Sequence, residues 1–239
     1  MRQNPSFAMT DIGELRRLIE HNPWVTLVSD TPDGLVASHY AVMLDPAHDD
    51  LTIVGHVGKP DDLIHGLGER ELLVVVQGPH GYISPSWYGS VSSGPVASVP
   101  TWNFVSAHLS GVPELLGTDE NLRVLDALVE RFESRMPEPR GMWQAPNDAA
   151  FIERLERGTV GFRLTPTRVV AKRKLSQNRP GEVVETIIAE LSADGAHPNP
   201  ALAAEMRRAR DAQIAATAVS AAAAANAAAA NPADGKSRP

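Results

Sequence analysis

Three apolar stretches, WVTLVS (24–29), LVASHYAVML (35–44) and LTIVGHV (51–57), follow one another with very little chain between them. The first link, DTPDG, carries the Pro, Asp and Gly of a tight turn, and the second, DPAHDD, is hardly longer. A crossover to a parallel neighbour takes about a dozen residues or more. The three stretches are therefore confined to an antiparallel meander that opens on a hairpin, and the rest of the chain must be built around it.

The flanking sequence extends this pattern. Asp11 and Glu14 stand at capping-box spacing before an apolar stripe of Ile12, Leu15, Leu18 and Ile19, which predicts a helix ending before Pro23. PDDLIHGL (60–67) predicts a short helix opened by Pro60, and ELLVVVQ (71–77) has the unbroken apolar run of a central strand covered on both faces. Residues 99–111 and 159–175 supply two more strands, with Val160, Phe162 and Leu164 alternating in the second. Between them a helix from Thr118 to Met136 is expected, with Leu122, Leu125, Val129 and Phe132 on one face. Six or more short, mostly sequential strands give a mainly β protein, a small barrel with helices packed on its outside. Residues 192–239 are dominated by alanine, which favours helix but offers little apolar surface to bury. The expected organisation is a barrel domain over 1–191 and a partly helical or disordered tail over 192–239.

Composition narrows the function classes. With 43% hydrophobic residues the chain can bury a proper core, and no apolar run reaches the roughly 18–20 residues of a membrane span. The N-terminus is charged where a signal peptide is apolar, so a cytoplasmic protein is expected. The absence of cysteine removes disulfides, thiolate nucleophiles and Cys-ligated metals. A net charge of −7 opposes a broad electrostatic footprint on DNA. The basic run RVVAKRKLSQNR (168–179) reads as a solvated face or a phosphate site for a small ligand. Dinucleotide, Walker, zincin and nucleophile-elbow signatures are missing, and the eight histidines show no helical i, i+3 or i+4 pair, so no metal site is predicted.

Positive signals lie in a few places. In GHVGKPDD a strand enters a Gly-containing turn, Lys59 offers a compact cation, and Pro60 opens a helix whose N-terminus adds positive potential; the arrangement suits a phosphate. Ser38 and His39 interrupt an apolar strand and need partners if buried. The clusters GYISPSWY (81–88) and VPTWNF (99–104) bring several rings together. A period of two places Trp102, Phe104, Ser106 and His108 opposite Asn103, Val105, Ala107 and Leu109. A nucleic-acid stacking platform interleaves aromatics with Lys and Arg, and residues 78–111 contain neither. Core packing and the wall of a pocket for an uncharged planar ring remain, with Asn103 available to the ring's edge.

Taken together, GH (55–56), QGPHGYISPSWY (77–88), VPTWNF (99–104) and KLSQNR (174–179) resemble the PaiB family, described as FMN-binding negative transcriptional regulators. The resemblance runs over roughly residues 5–191. It implies a split β-barrel of the FMN-binding type with peripheral helices, assembled as a homodimer with FMN at the subunit interface. It further implies that Lys59 meets the flavin phosphate together with one or more of Lys174, Ser176, Gln177 and Asn178. The ring would lie along Ser38, His39 and Ala41 near His56, with Trp102 and Asn103 coming from the partner subunit. Where the family commonly has Arg and Asn after the His56 position, this chain has Gly58, Lys59, Pro60 and Asp61, which keeps a charge but loses the bidentate fork. The function implied is repression, acting on DNA directly or through a regulatory partner protein, although no helix-turn-helix is evident. The alternative is a flavin-dependent oxidoreductase in which the cofactor carries the electron chemistry, and a deazaflavin or haem in the same barrel is a third reading. No catalytic acid or base is assigned; His39, His56 and His108 are the candidates, each with a structural explanation available.

Overall fold

The computed structural model describes residues 1–2, 4–88, 90–91, 94–95, 99–139 and 149–230. Its strands are β1 (Trp24–Thr31), β2 (Gly34–Leu44), β3 (Ile53–Gly58), β4 (Leu72–Ile83), β5 (Ser90–Val91), β6 (Gly94–Pro95), β7 (Thr101–Gly111), β8 (Glu114–Leu115), β9 (Thr159–Leu164) and β10 (Arg168–Lys174). The helices are α1 (Ile12–His21), α2 (Lys59–His65), α3 (Thr118–Glu133), α4 (Ala149–Gly158), α5 (Gly181–Ser192) and α6 (Pro200–Ala230). Two compact units divide the chain: Met1–Gly78 with Val105–Arg173, and Pro79–Phe104 with Lys174–Pro239.

The first unit is built on an eight-stranded sheet in the order β10-β7-β4-β1-β2-β3-β9-β8, the curled half-barrel of a split β-barrel. The predicted meander is its centre. β1 and β2 pair antiparallel from Trp24↔Ala41 to Thr31↔Gly34, and β2 continues into β3 through Val42↔Gly55. Gly34, at φ 110°, turns the hairpin in a conformation that strongly favours glycine. Val25, Leu27, Leu72, Val74, Val76, Val105, Ala107 and Leu109 are buried on alternate positions of neighbouring strands. α1 is capped as the sequence predicts, Glu14 N–H donating to Asp11 Oδ1 at 2.9 Å, and it buries Leu15, Leu18 and Ile19. A Cβ at Gly78 would stand 2.7 Å from Leu18 Cδ1, so only glycine lets this helix lie so close to the sheet.

Three expectations are corrected here. β4 is not evenly covered on both faces: Leu72, Val74 and Val76 are buried while Leu73 and Val75 are half-buried, and the strand runs on through Pro79 to Ile83. The segment 159–175 is two strands, because Pro166 interrupts it and Thr167 N–H donates to Ser110 O at 2.9 Å. α3 buries Asn121, Val124, Leu125 and Leu128 instead of the stripe through Leu122, Val129 and Phe132, and Phe132 is 40% exposed. Both sets satisfy helical spacing, and packing decides between them. Val124 and Leu128 close on Val54, while Asn121 sits over Gly161 and donates to Thr159 Oγ1 at 3.0 Å.

In the second unit α5 and α6 pack together, burying Val183, Val184, Ile187, Ile188, Leu191, Leu202, Ala203 and Met206. Arg210 fastens the pair through Glu185 at 2.6 Å and Gly181 O at 2.9 Å. The alanine-rich segment thus supplies one buried turn and a half, after which α6 continues as an exposed helix held by alanine's propensity. The junction expected near residue 191 falls inside this unit, between α5 and α6. The tail's expected disorder concerns residues 231–239, which lie outside those described.

Candidate functional site

The residues singled out in the sequence fall into two groups, one in each unit. Ser38, His39, Ala41, His56 and Lys59 are in the first, and Trp102, Asn103, Lys174, Ser176, Gln177 and Asn178 are in the second.

In the first unit the alternation of β2 separates Ser38 from His39 and Ala41. Ser38 finds a partner in His65, whose Nε2 lies 3.0 Å from Ser38 Oγ and whose Nδ1 lies 2.9 Å from Ser29 Oγ. His65 is 1% exposed, and burial pushes its pKa below the ordinary histidine value. His39 is exposed, its ring near-parallel to the Trp24 indole at 6.4 Å. At the end of β3, Gly58 N–H donates to Tyr40 Oη at 3.0 Å, and the Tyr40 hydroxyl donates to Asp61 Oδ2 at 2.5 Å. Desolvation and the bond to Asp61 raise the tyrosine pKa. Lys59 Nζ is 2.9 Å from Asp62 Oδ2, so the cation already has a carboxylate beside it.

His56 completes this corner. Its ring meets Tyr40 edge-on at 6.3 Å, its Nδ1 is buried with no hydrogen-bond partner among the described residues, and desolvation holds its pKa down. Gly55 admits the β2 backbone and Phe162, since a Cβ there would meet Ala41 O at 3.1 Å and the phenyl ring at 3.2 Å. The donor chemistry of the corner fits a phosphate-bearing flavin. It offers an ammonium, an orphaned imidazole nitrogen and a glycine at 58 where a Cβ would come to 3.4 Å from Tyr40 Oη.

In the second unit four of the six residues are tied in pairs, Lys174 to Trp102 and Asn103 to Ser176. Asn103 is 0% exposed; its Nδ2 donates to Ser176 Oγ at 3.0 Å and to Met206 Sδ at 3.5 Å. Lys174 Nζ donates to Trp102 O at 2.9 Å and to Thr101 Oγ1. Gln177 Oε1 accepts from Leu175 N–H at 2.7 Å, and Asn178 is exposed. The β7 alternation holds as predicted, which turns Asn103 inward and leaves Trp102 55% exposed. Trp102 borders a cavity of about 280 Å³ lined also by His80, Gly81, Tyr82, Leu191, His197 and Asn199.

Sequence reasoning missed Tyr40, Asp62, His65 and His197. For Tyr40 and His65 a signal existed: polar side chains at alternate positions of one strand, and a histidine one turn after a helix opening, both needing buried partners. For Asp62 the i,i+3 spacing from Lys59 on α2 was a local signal, whereas for His197 the partners are set by packing and no local pattern announces them. Among the described residues no three His, Asp or Glu gather to hold a metal, and no helix is long and apolar enough to cross a membrane.

Residues 1–168 match the family model described as "Putative FMN-binding domain". The Bacillus subtilis (strain 168) "Protease synthase and sporulation protein PAI 2" is 30% identical over 202 residues, covering 84% of this chain and 93% of that protein. The chain belongs to the PaiB family of FMN-binding proteins. Its PaiB membership makes FMN the cofactor. Two solved structures share the fold. The FAD and heme binding protein from Mycobacterium smegmatis has a TM-score of 0.53 at 20% identity, covering 76% of this chain and 78% of its own. The flavocytochrome Anf3 from Azotobacter vinelandii has a TM-score of 0.55 at 15% identity, covering 77% and 78%. At these identities they speak for the split-barrel fold of PaiB proteins and for nothing finer.

Proposed function

We propose that this PaiB-family protein is a regulator whose output depends on bound FMN, held mainly by the first unit. The observation that carries the flavin assignment is the end of β3, where His56 Nδ1 is buried with no hydrogen-bond partner among the described residues and the cation Lys59 follows three positions on. Lys59 would hold the phosphate after parting from Asp62, and His39 and Ala41 would line the ring; bound FMN would supply one- or two-electron redox chemistry. A homodimer is part of this reading. It is supported by the exposed face of the β1–β2 hairpin, where Trp24 is 65% exposed and Leu35 is 77% exposed.

Repression, directly on DNA or through a partner protein, is what the family resemblance of the sequence motifs implies, and the net charge of −7 favours the protein partner. The second reading, a flavin-dependent oxidoreductase, is favoured by the cavity beside Trp102, which is large enough for a small organic molecule. The deciding experiment starts with an absorption spectrum after FMN titration and gel filtration. It continues with reduced-nicotinamide oxidation on one side and salt-dependent promoter binding on the other. Retained flavin with promoter binding or partner capture and no turnover supports the regulator, whereas sustained turnover supports the enzyme. Loss of all flavin on the column overturns both.

A further inference from the structure

The cavity of the second unit joins His80, Gly81, Tyr82 and Trp102 to chain beyond the matched FMN domain, since Leu191, His197 and Asn199 follow residue 168. Its walls are rings. His80 and Trp102 are near-parallel with centroids 6.3 Å apart, Tyr82 and His197 are 5.0 Å apart, and Trp87 closes edge-on against His197 at 6.3 Å. Gly81, in its lining, lies against the start of α6, where a Cβ would come to 2.8 Å from Asn199 Nδ2 and 3.1 Å from Leu202 Cδ2.

The walls are also held in place. Asn199 Nδ2 donates to His80 O at 2.9 Å, its Oδ1 accepts from Leu202 N–H at 3.0 Å, and its own N–H donates to Leu191 O at 2.8 Å. One residue thus ties β4, the end of α5 and the start of α6 around the opening, through its side chain to β4 and α6 and its backbone to α5. On the far wall Lys174 grips the Trp102 carbonyl and Ser176 grips Asn103, which sets the indole before any ligand arrives. Among the described residues no Lys, Arg, Asp or Glu lines the cavity.

We infer that this cavity is a binding site, separate from the FMN site, for an uncharged planar aromatic molecule of one or two fused rings. Its faces would stack on Trp102 and Tyr82, and its polar edge would meet the imidazoles. A charged ring would leave water for a site with no opposite charge to receive it.

The test is calorimetric titration of the full chain with 1,4-naphthoquinone, for which the absence of cysteine removes thiol addition. The 2-sulfonate of the same quinone serves as the charged probe. Saturable binding of the neutral probe is expected, weakened about tenfold in Trp102→Ala and in Tyr82→Ala, as loss of one stacking partner implies. The sulfonate should bind more weakly, and Lys59→Ala should leave the neutral probe unaffected. Trp102 is half-exposed, so its truncation spares the core, and thermal unfolding of each variant checks this. No saturable binding by the wild type, binding by both ring variants as tight as that of the wild type, or tighter binding of the sulfonate overturns the proposal. Competition by excess FMN would merge the cavity with the flavin site and overturn it too. Failure of FMN retention with naphthoquinone binding intact would overturn the flavin assignment and leave this one standing.

Discussion

Each unit of the molecule buries one polar side chain between two partners distant in sequence, and the two choices differ in kind. The first unit uses an imidazole, His65 between Ser29 and Ser38. The second uses an amide, Asn103 between Ser176 and Met206. Their lysines differ in parallel: Lys59 stands against the Asp62 carboxylate, whereas Lys174 donates to the neutral oxygens of Thr101 and Trp102. An amide and neutral acceptors hold geometry at any pH. An imidazole and an ion pair answer to protons and to the charge of a ligand, which is what a phosphate site in the first unit requires.

The largest effect expected from this contrast is on the fixed bridge. Asn103→Ala removes a fully buried amide and strands the Ser176 hydroxyl, at a cost of about 2–3 kcal/mol. Urea unfolding measures it, and the loss should be the same at pH 5.5 and pH 8. A loss below about 0.5 kcal/mol would mean that water or relaxation replaces the amide, and the bridge would lose its structural meaning.

The first unit should instead show a pH dependence. Burial lowers the pKa of His56, His65 and His108 in the folded state. The unfolded chain therefore takes up protons near the ordinary histidine value of about 6.5 while the folded chain does not. Their contribution is complete above that value and is lost as pH falls below it toward the folded pKa values, with a slope of up to about 1.4 kcal/mol per pH unit for one such group. Unfolding midpoints between pH 8 and pH 5 check the sign. His65→Gln should flatten the slope, and a steeper one would contradict the assignment of His65 as a buried neutral ring.

The ion pair gives a comparable effect on binding. Lys59→Ala should weaken FMN about tenfold and riboflavin hardly at all, because only FMN carries the phosphate. Asp62→Asn should tighten FMN by releasing the ammonium, and Lys174→Ala should change FMN affinity by less than about twofold, since that cation is committed within its own unit. Equal losses for FMN and riboflavin in Lys59→Ala would remove the phosphate role.

How much of this was legible follows from the range of the forces involved. The meander, the α1 cap and the β7 alternation are local, and WVTLVS, Asp11 with Glu14, and TWNFVSAHL carried them openly. The face of α3 was not, because Val124 and Leu122 are equally apolar and the choice rests on Val54 and Gly161, far away in sequence. The same holds for the site. Lys59 was visible as a cation after a strand, but its neutralisation by Asp62 depends on a side-chain rotamer. Ser38 was visible as a buried polar group in want of a partner, yet His65 became that partner only when α2 docked. His197 lay in a segment whose composition suggested no chemistry at all.

The smallest effect expected is also the most specific. Ser176 holds φ at 61°, the left-handed region that a residue with a Cβ enters at a cost of roughly 1–2 kcal/mol. It does so where its hydroxyl meets Asn103, so the strain and the bridge occur together. Ser176→Ala and Ser176→Gly both remove the hydroxyl and leave Asn103 equally short of a partner, which cancels that loss between them. What remains is the backbone, where glycine relieves the left-handed strain but gives up conformational entropy to the unfolded chain. The glycine variant should therefore be more stable than the alanine variant by a net ~0.5–1 kcal/mol, the reverse of their order in a helix. Paired denaturation curves resolve a difference of that size. Alanine as the more stable variant would show that the chain at 176 relaxes out of the left-handed region once the hydroxyl is gone, making the bridge the cause of the strain instead of its beneficiary.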